Sequence, residues 1–196
     1  MPKLGMEPIR RSALVAAAIE AIHAEGFCGV TVSHIASRAG VSTGLAHHYF
    51  GSKDQLLAAT MRHLFNRLGE EVAARLRAAH TPAERLTAIV EGNFAPSQFQ
   101  PSLISAWLAF YMQSQTSPAA NHLLRIYHRR LASNLAFVFR AWTPDRTTAR
   151  DCAETAAALI DGLWLRFALS ETPPTPEAAA RDVERRILAL FDGEPS

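Results

Sequence analysis

The sequence predicts an all-α protein. Apolar residues recur at helical spacing, as in Leu57, Met61, Leu64 and Leu68, and no alternating run of β-branched residues bounded by turn residues indicates a strand. Four Ser-Pro or Thr-Pro pairs mark helix starts, because the hydroxyl can cap the first turn and proline is tolerated at the first helical position. These pairs begin at Thr81, Ser117, Thr143 and Thr175.

About nine helices follow from these boundary signals. Gly26 ends the first, and capping boxes formed by Ser52 with Gln55 and by Thr81 with Glu84 start the fourth and fifth. The predicted spans are 8–24, 32–39, 43–50, 53–79, 82–94, 101–114, 118–141, 145–169 and 176–191.

The composition excludes several classes of protein. The 196-residue chain is 48% hydrophobic and 19% charged, so it can bury a core, and its two cysteines, Cys28 and Cys152, are expected to be core residues rather than a disulfide framework. No apolar stretch approaches the roughly 18 residues of a membrane span, and no secretion signal is expected, so we expect a cytoplasmic protein without a membrane partner. No phosphate-binding loop, nucleophile elbow or metal-ligand spacing occurs, so we expect no enzyme, no cofactor and no metal site.

The charge is unevenly distributed. Residues 1–53 contain five cations and three anions, so the formal net charge of +2 lies entirely in this segment, together with four of the eight histidines. Arg10 and Arg11 begin the first helix, where a cation opposes the helix dipole, so a phosphate partner would account for them.

A helix-turn-helix is predicted between Thr31 and Lys53. Thr31 can cap a short helix, Gly40 allows a sharp turn, and Ser42 or Thr43 can start a second short helix. That second helix is of the kind that enters the DNA major groove. Lys53 then opens a long helix, whose N-terminal N–H groups favour a phosphate.

This segment resembles the signature of the TetR family of transcriptional regulators. It departs from the family pattern at His47, where the family usually has a tyrosine that contacts a phosphate. It matches at Thr31, Ile35, Ala36, Ala39, Gly40, Val41, Ser42, Gly44, Tyr49, Phe50, Ser52, Lys53 and Leu56.

The resemblance implies a homodimer that binds double-stranded operator DNA, with the last two helices pairing in a four-helix bundle. We expect residues 1–53 to form the DNA-binding domain and residues 54–196 to bind a ligand and dimerise. The residues expected to contact DNA are Arg10, Arg11, Thr31, Ser42, Thr43, Gly44, His47, His48, Tyr49 and Lys53.

Aromatic residues are grouped in the second segment. Trp107, Phe110 and Tyr111 share one helix face, and Asp161, Trp164 and Phe167 form a second set. Core packing accounts for such spacing, but an aromatic box beside a carboxylate also suits a quaternary ammonium ion, which has no N–H to donate. These six residues are the predicted ligand site.

Stretches spread over the whole chain, among them YFGSK, IVEGNFAPSQF and ALIDGLWLRFALS, are similar to choline-responsive repressors within this family. That similarity implies repression of the genes for choline uptake and glycine betaine synthesis, as in osmotic stress, relieved when choline or betaine aldehyde shifts the long helix 53–79. One alternative is a TetR-type repressor that senses another lipophilic cation or an apolar metabolite, as in efflux control. A second is a helical binding or enzymatic protein that binds no operator.

Overall fold

The computed structural model describes the backbone of residues 5–192 and the side chains of residues 5–190. Residues 193–196, the end of the predicted second domain, lie outside the described residues. Within the described range there are nine α-helices, one short 3-10 turn at Pro96–Phe99 and no strand, which confirms the predicted fold class. The helices are α1 Met6–Gly29, α2 Val32–Arg38, α3 Thr43–Phe50, α4 Lys53–Ala78, α5 Pro82–Asn93, α6 Pro101–Ser114, α7 Pro118–Phe139, α8 Arg146–Ala168 and α9 Pro176–Asp192.

The helix boundaries follow local capping. Thr81 and Glu84 form the predicted capping box at the start of α5. The prediction for Thr143 is wrong, because Asp145 caps α8 instead, with its Oδ2 accepting from Thr148 N at 2.8 Å. A carboxylate at this position satisfies the free N–H groups of the first turn as well as a hydroxyl does.

The first helix is longer than predicted. Helical turns continue to Gly29, but Gly26 has a non-helical backbone with φ 71° and ψ 161°, so α1 is kinked where the sequence predicted its end. Cys28 lies beyond this kink and is exposed, so its predicted place in the core is wrong.

The chain divides into two compact units. The first unit contains Met1–Asn66 and Gln100–Leu124, and the second contains Arg67–Phe99 and Arg125–Ser196. The division falls inside α4 and inside α7. No helix in the described part of the chain is long and apolar enough to cross a membrane.

The first unit is built around α1, which packs against both α2 and α6. Leu14, Ala18 and Ile22 of α1 are buried with Ile35 of α2 and Leu56 of α4 in one apolar cluster. Ala46 and Phe50 add the inner face of α3 to the same cluster. Since α3 buries only this one face, the rest of the helix is available to a partner.

The second unit packs α9 against both α5 and α8. Its fully buried side chains include Leu86 and Ile89 from α5, Leu135 from α7, Ile160 from α8 and Ile187 from α9. Each helix therefore contributes an apolar stripe to one core, as the helical periodicity of the sequence predicted.

Candidate functional site

The helix-turn-helix is fixed by two hydroxyl caps. Thr31 Oγ1 accepts from His34 N at 3.2 Å to start α2, and Ser42 Oγ accepts from Leu45 N at 3.2 Å to start α3. Gly40, between the two helices, has φ 66°, a backbone conformation that glycine adopts without strain. Thr31 and Ser42, both predicted to contact DNA, are thus the N-caps of the two helices.

Helix α3 presents a polar face to solvent. Gly44, His47 and His48 are exposed, and Thr43 and Tyr49 are half-buried. The structure therefore brings together all five residues that the sequence placed on the recognition helix. A face of this kind is what a helix needs in order to reach base edges in the major groove.

Two of the three predicted phosphate-binding cations, Lys53 and Arg11, have partners inside the protein. Lys53 Nζ donates to the Phe27 carbonyl at 3.2 Å and lies 5.4 Å from the centre of the Phe27 ring. Arg11 Nε donates to Glu7 Oε1 at 2.8 Å, and its guanidinium lies 5.2 Å from the Tyr49 ring centre. The ring contact places the Arg11 guanidinium beside α3, and both cations keep further N–H donors.

A charged cluster joining α1 to α2 was missed by sequence reasoning. Glu25 Oε2 lies 2.8 Å from His34 Nδ1, and Glu25 Oε1 lies 3.6 Å from an Arg38 guanidinium nitrogen. All three side chains are partly exposed, so the pairing contributes little to stability.

The predicted ligand residues fall in both units. Trp107, Phe110 and Tyr111 belong to the first unit, where Phe65 packs edge-on against Trp107 and Phe110 with ring centres 5.0 and 5.1 Å away. Trp107 lies 6.4 Å from Tyr111 between ring centres. Phe65 is the member of this aromatic group that the sequence prediction missed.

In the second unit, Trp164 and Phe167 belong to an aromatic group completed by Phe94 and Phe99. Phe94 lies 6.2 Å from Phe167 and 6.0 Å from Phe99, and Phe99 lies 6.4 Å from Trp164, all between ring centres. Sequence reasoning missed Phe94 and Phe99 because Phe94 caps the end of α5 and Phe99 ends the 3-10 turn, so they do not share a helix face.

Asp161 is held by a polar network between α7 and α8. Tyr127 Oη donates to Asp161 Oδ1 at 2.7 Å, and His128 Nε2 lies 3.5 Å from Oδ2. Burial raises the pKa of Asp161 above its ordinary value, and the Tyr127 hydrogen bond and the nearby His128 oppose that rise. Asn93, whose Oδ1 is 3.4 Å from Tyr127 Oη, extends the network to α5.

A cavity of about 310 Å³ opens in the second unit beside Phe94. Its lining includes the charged residues Arg75, Glu91, Glu177 and Arg181. Among the residues that the structure describes, no three His, Cys, Asp or Glu side chains come together as metal ligands.

Two segments of the chain match known protein families. Residues 14–60 match the family described as bacterial regulatory proteins of the tetR family, and residues 82–192 match the family of BetI-type transcriptional repressors, C-terminal region. The chain belongs to the BetI-type repressors of the TetR family. It is therefore a DNA-binding transcriptional regulator and not an enzyme, and TetR-family regulators bind operator DNA and small-molecule ligands.

Full-length relatives carry the same family name. The HTH-type transcriptional regulator BetI of Brucella melitensis biotype 2 is 49% identical over 196 residues, covering 100% of this chain and 98% of its own. The BetI regulator of Rhizobium meliloti is 50% identical over 189 residues, covering 96% of this chain and 93% of its own. These matches extend over at least 96% of the chain, so they include both the helix-turn-helix and residues 82–192.

Solved structures share the fold. A transcriptional regulator from Pseudomonas aeruginosa PAO1 superposes with a TM-score of 0.84 at 27% identity, covering 95% of this chain and 92% of its own. A regulator from Saccharomonospora viridis, solved in complex with choline, superposes with a TM-score of 0.80 at 22% identity, covering 92% and 96%. At that lower identity the likeness to this BetI-type repressor is one of fold.

Proposed function

We propose that this repressor controls genes for choline uptake and glycine betaine synthesis and that choline or betaine aldehyde relieves the repression. The observation that carries the proposal is the full-length identity of about 49% to regulators named BetI, which includes the whole ligand-binding segment. The choline complex of a protein with the same fold supports it, because it shows that such a fold can hold this cation.

The chemistry of the aromatic residues fits a quaternary ammonium ligand. Such a cation attracts the negative faces of aromatic rings, and each good contact contributes about 0.5–2 kcal/mol. We propose two groups of ligand-binding residues, each within its own unit: Trp107, Phe110 and Tyr111 in the first unit, and Asp161, Trp164 and Phe167 in the second. Asp161 would contribute its negative charge, and the hydrogen bond from Tyr127 to one of its carboxylate oxygens would hold the side chain in place.

Replacing the tryptophans one at a time tests these residues. Trp107→Phe and Trp164→Phe keep an apolar ring but weaken its attraction for a cation, so each is expected to weaken choline binding about 2- to 30-fold in titration calorimetry. Trp142→Phe is the matched control, because Trp142 lies outside the proposed set. Choline affinities unchanged in both test variants would return these tryptophans to a purely structural role.

Operator binding is proposed to use the exposed face of α3 in a homodimer. Two such helices about one DNA turn apart, roughly 34–36 Å, would read a palindromic site. Exposed leucines at Leu165 and Leu188 support pairing through α8 and α9. Leu165→Glu is expected to shift the protein from dimer to monomer in analytical ultracentrifugation, because a charge would be buried in the paired helices. We also propose that the dimer acts in the cytoplasm, where its DNA lies.

Lys53 is proposed to contact a DNA phosphate. Each neutralised phosphate contributes about 0.9 to the slope of log affinity against log salt concentration, so Lys53→Ala should lower that slope by about one. Arg140→Ala, which removes an exposed cation at the end of α7, should leave the slope unchanged. A Lys53→Ala slope equal to that of the unmodified protein would contradict the phosphate contact.

Fluorescence anisotropy of the dimer on its own upstream DNA tests the whole proposal. Choline is expected to release the operator, with a typical coupling of about 1–3 kcal/mol and hence about a 5- to 150-fold loss of affinity. A non-specific duplex is the control, since its weak binding should not respond to choline. Specific binding that ignores choline but responds to another lipophilic cation would favour the alternative ligand class, and no specific binding at low salt would refute operator recognition.

A further inference from the structure

The ring of His47 is held in one orientation at the end of the recognition helix. Its Nδ1 lies 2.8 Å from the Gly51 carbonyl oxygen, and Gly51 N donates back to the His47 carbonyl at 2.7 Å. Gly51 has φ 71°, which a side chain would strain, so glycine lets the chain fold back to make this pair of hydrogen bonds. His47 is nonetheless exposed.

This hydrogen bond fixes which nitrogen carries the proton. A carbonyl oxygen can only accept, so Nδ1 must be the donor, and the remaining nitrogen, Nε2, is then a bare acceptor in the neutral ring. Among the residues that the structure describes, Gly51 is the only hydrogen-bonding partner of the His47 side chain. Nε2 is therefore open to an outside partner.

A DNA phosphate imposes a protonation requirement on this nitrogen. Phosphate oxygens accept and do not donate, so neutral His47 offers them nothing at Nε2, whereas the doubly protonated ring offers a charged N–H. A tyrosine hydroxyl, the family's usual group at this position, donates without taking up a proton. We infer that operator binding by this repressor takes up a proton at His47. The inference rests on the proposed operator-binding role of α3.

Other charged groups surround α3 without bonding to the His47 ring. From α1 they include Arg11, which is paired with Glu7, and from α2 His34 and Arg38, both held by Glu25. His48 lies on α3 itself, and Lys53 and Asp54 begin α4. His34 Nδ1 lies against the Glu25 carboxylate, whereas His47 Nδ1 lies against a carbonyl oxygen, so of these two rings only His47 is oriented with Nε2 as a bare acceptor.

Proton uptake makes affinity fall as pH rises. Because the complex would hold one more proton than the free repressor and DNA, operator affinity should fall by up to about tenfold per pH unit between about pH 6 and about pH 8. The binding enthalpy should also depend on the ionisation enthalpy of the buffer, because the buffer supplies the proton.

The experiment compares operator affinity by anisotropy at about pH 6, 7 and 8 and constant ionic strength in the full-length dimer. We expect the unmodified protein and the control His122→Gln, an exposed histidine of α7, to lose affinity with rising pH. His47→Tyr should show no such slope while still binding the operator specifically, and its binding enthalpy should no longer depend on the buffer.

Two results would overturn the inference. One is a pH slope in His47→Tyr equal to that of the unmodified protein, and the other is an unmodified protein whose operator affinity and binding enthalpy ignore pH and buffer. Failure of the underlying proposal looks different, because then no variant would distinguish the operator from a non-specific duplex at any pH. That outcome removes the complex in which the proton is taken up and so refutes the inference as well.

Discussion

Removing the hydroxyl of Tyr127 should destabilise the second unit measurably. Tyr127 Oη donates at 2.7 Å to a carboxylate oxygen of Asp161, whose side chain is only 26% exposed. A hydrogen bond to a charged group contributes about 1.5–3 kcal/mol net, so Tyr127→Phe should lower the free energy of unfolding by that amount. At about 2–4 °C per kcal/mol for a chain of this size, the unfolding temperature should fall by roughly 3–12 °C.

A double-mutant cycle isolates the bond from the rest of the tyrosine. Tyr127→Phe, Asp161→Ala and the double variant would be unfolded in denaturant at one fixed protein concentration, because dimerisation makes the apparent stability depend on concentration. The coupling energy should be about 1.5–3 kcal/mol. A coupling energy below about 0.5 kcal/mol would refute the reasoning, since it would mean that the two groups act independently.

The remaining predictions concern charge, close packing and capping. Burial raises the pKa of Asp161, so the folded protein favours the protonated carboxyl and loses stability as this group ionises with rising pH. Asp161→Asn cannot ionise, so in denaturant unfolding it should become more stable than the unmodified protein between about pH 4 and neutrality. Hydrogen bonds from arginines lower the pKa of Asp182, whose side chain is similarly exposed at 28%. Asp182→Asn should therefore lower the free energy of unfolding by about 0.3–0.5 kcal/mol at neutral pH, and this loss should vanish in acid. If the stability of the two variants relative to the unmodified protein changed with pH in the same direction, both pKa directions would be contradicted. Gly92→Ala would place a Cβ 2.6 Å from a side-chain carbon of α4, and the overpacking cost of about 1–3 kcal/mol should outweigh the helix-propensity gain of about 1 kcal/mol. A Cβ at Gly162 meets nothing within 4 Å, so Gly162→Ala should show only the helix-propensity gain, as a higher unfolding temperature. Thr81→Ala removes the cap of α5 and should lower the free energy of unfolding by about 1 kcal/mol; unchanged stability would show that the cap is dispensable.

The fold was predictable because its determinants are local. Helical periodicity and hydroxyl caps act within one turn, so the starts of α2, α3 and α5 could be placed from a few neighbouring residues. The helix-turn-helix is equally local, since Thr31 to Lys53 contains its caps, its turn and its exposed face. The N-cap of α8 was predicted wrongly because Thr143 and Asp145 are both favoured N-cap residues, and only the path of the backbone selects between them.

Contacts between distant residues could not be predicted in this way. Tyr127 and Asp161 are 34 residues apart, and nothing in the spacing of either helix indicates that they share a hydrogen bond. The stacking of Arg11 on Tyr49 likewise depends on how α1 packs beside α3. The ligand residues remain a prediction for the same reason, because an aromatic stripe packs a core or lines a binding site with identical spacing.

The contact between Lys53 and Phe27 has an entropic consequence for DNA recognition. A free lysine side chain loses up to about 2 kcal/mol of rotational freedom when it is immobilised. Here the carbonyl and ring of Phe27 already restrict the ammonium group before any DNA arrives. A phosphate that binds Lys53 would therefore contact a preorganised side chain, because much of the conformational entropy of that side chain is already lost when the protein folds.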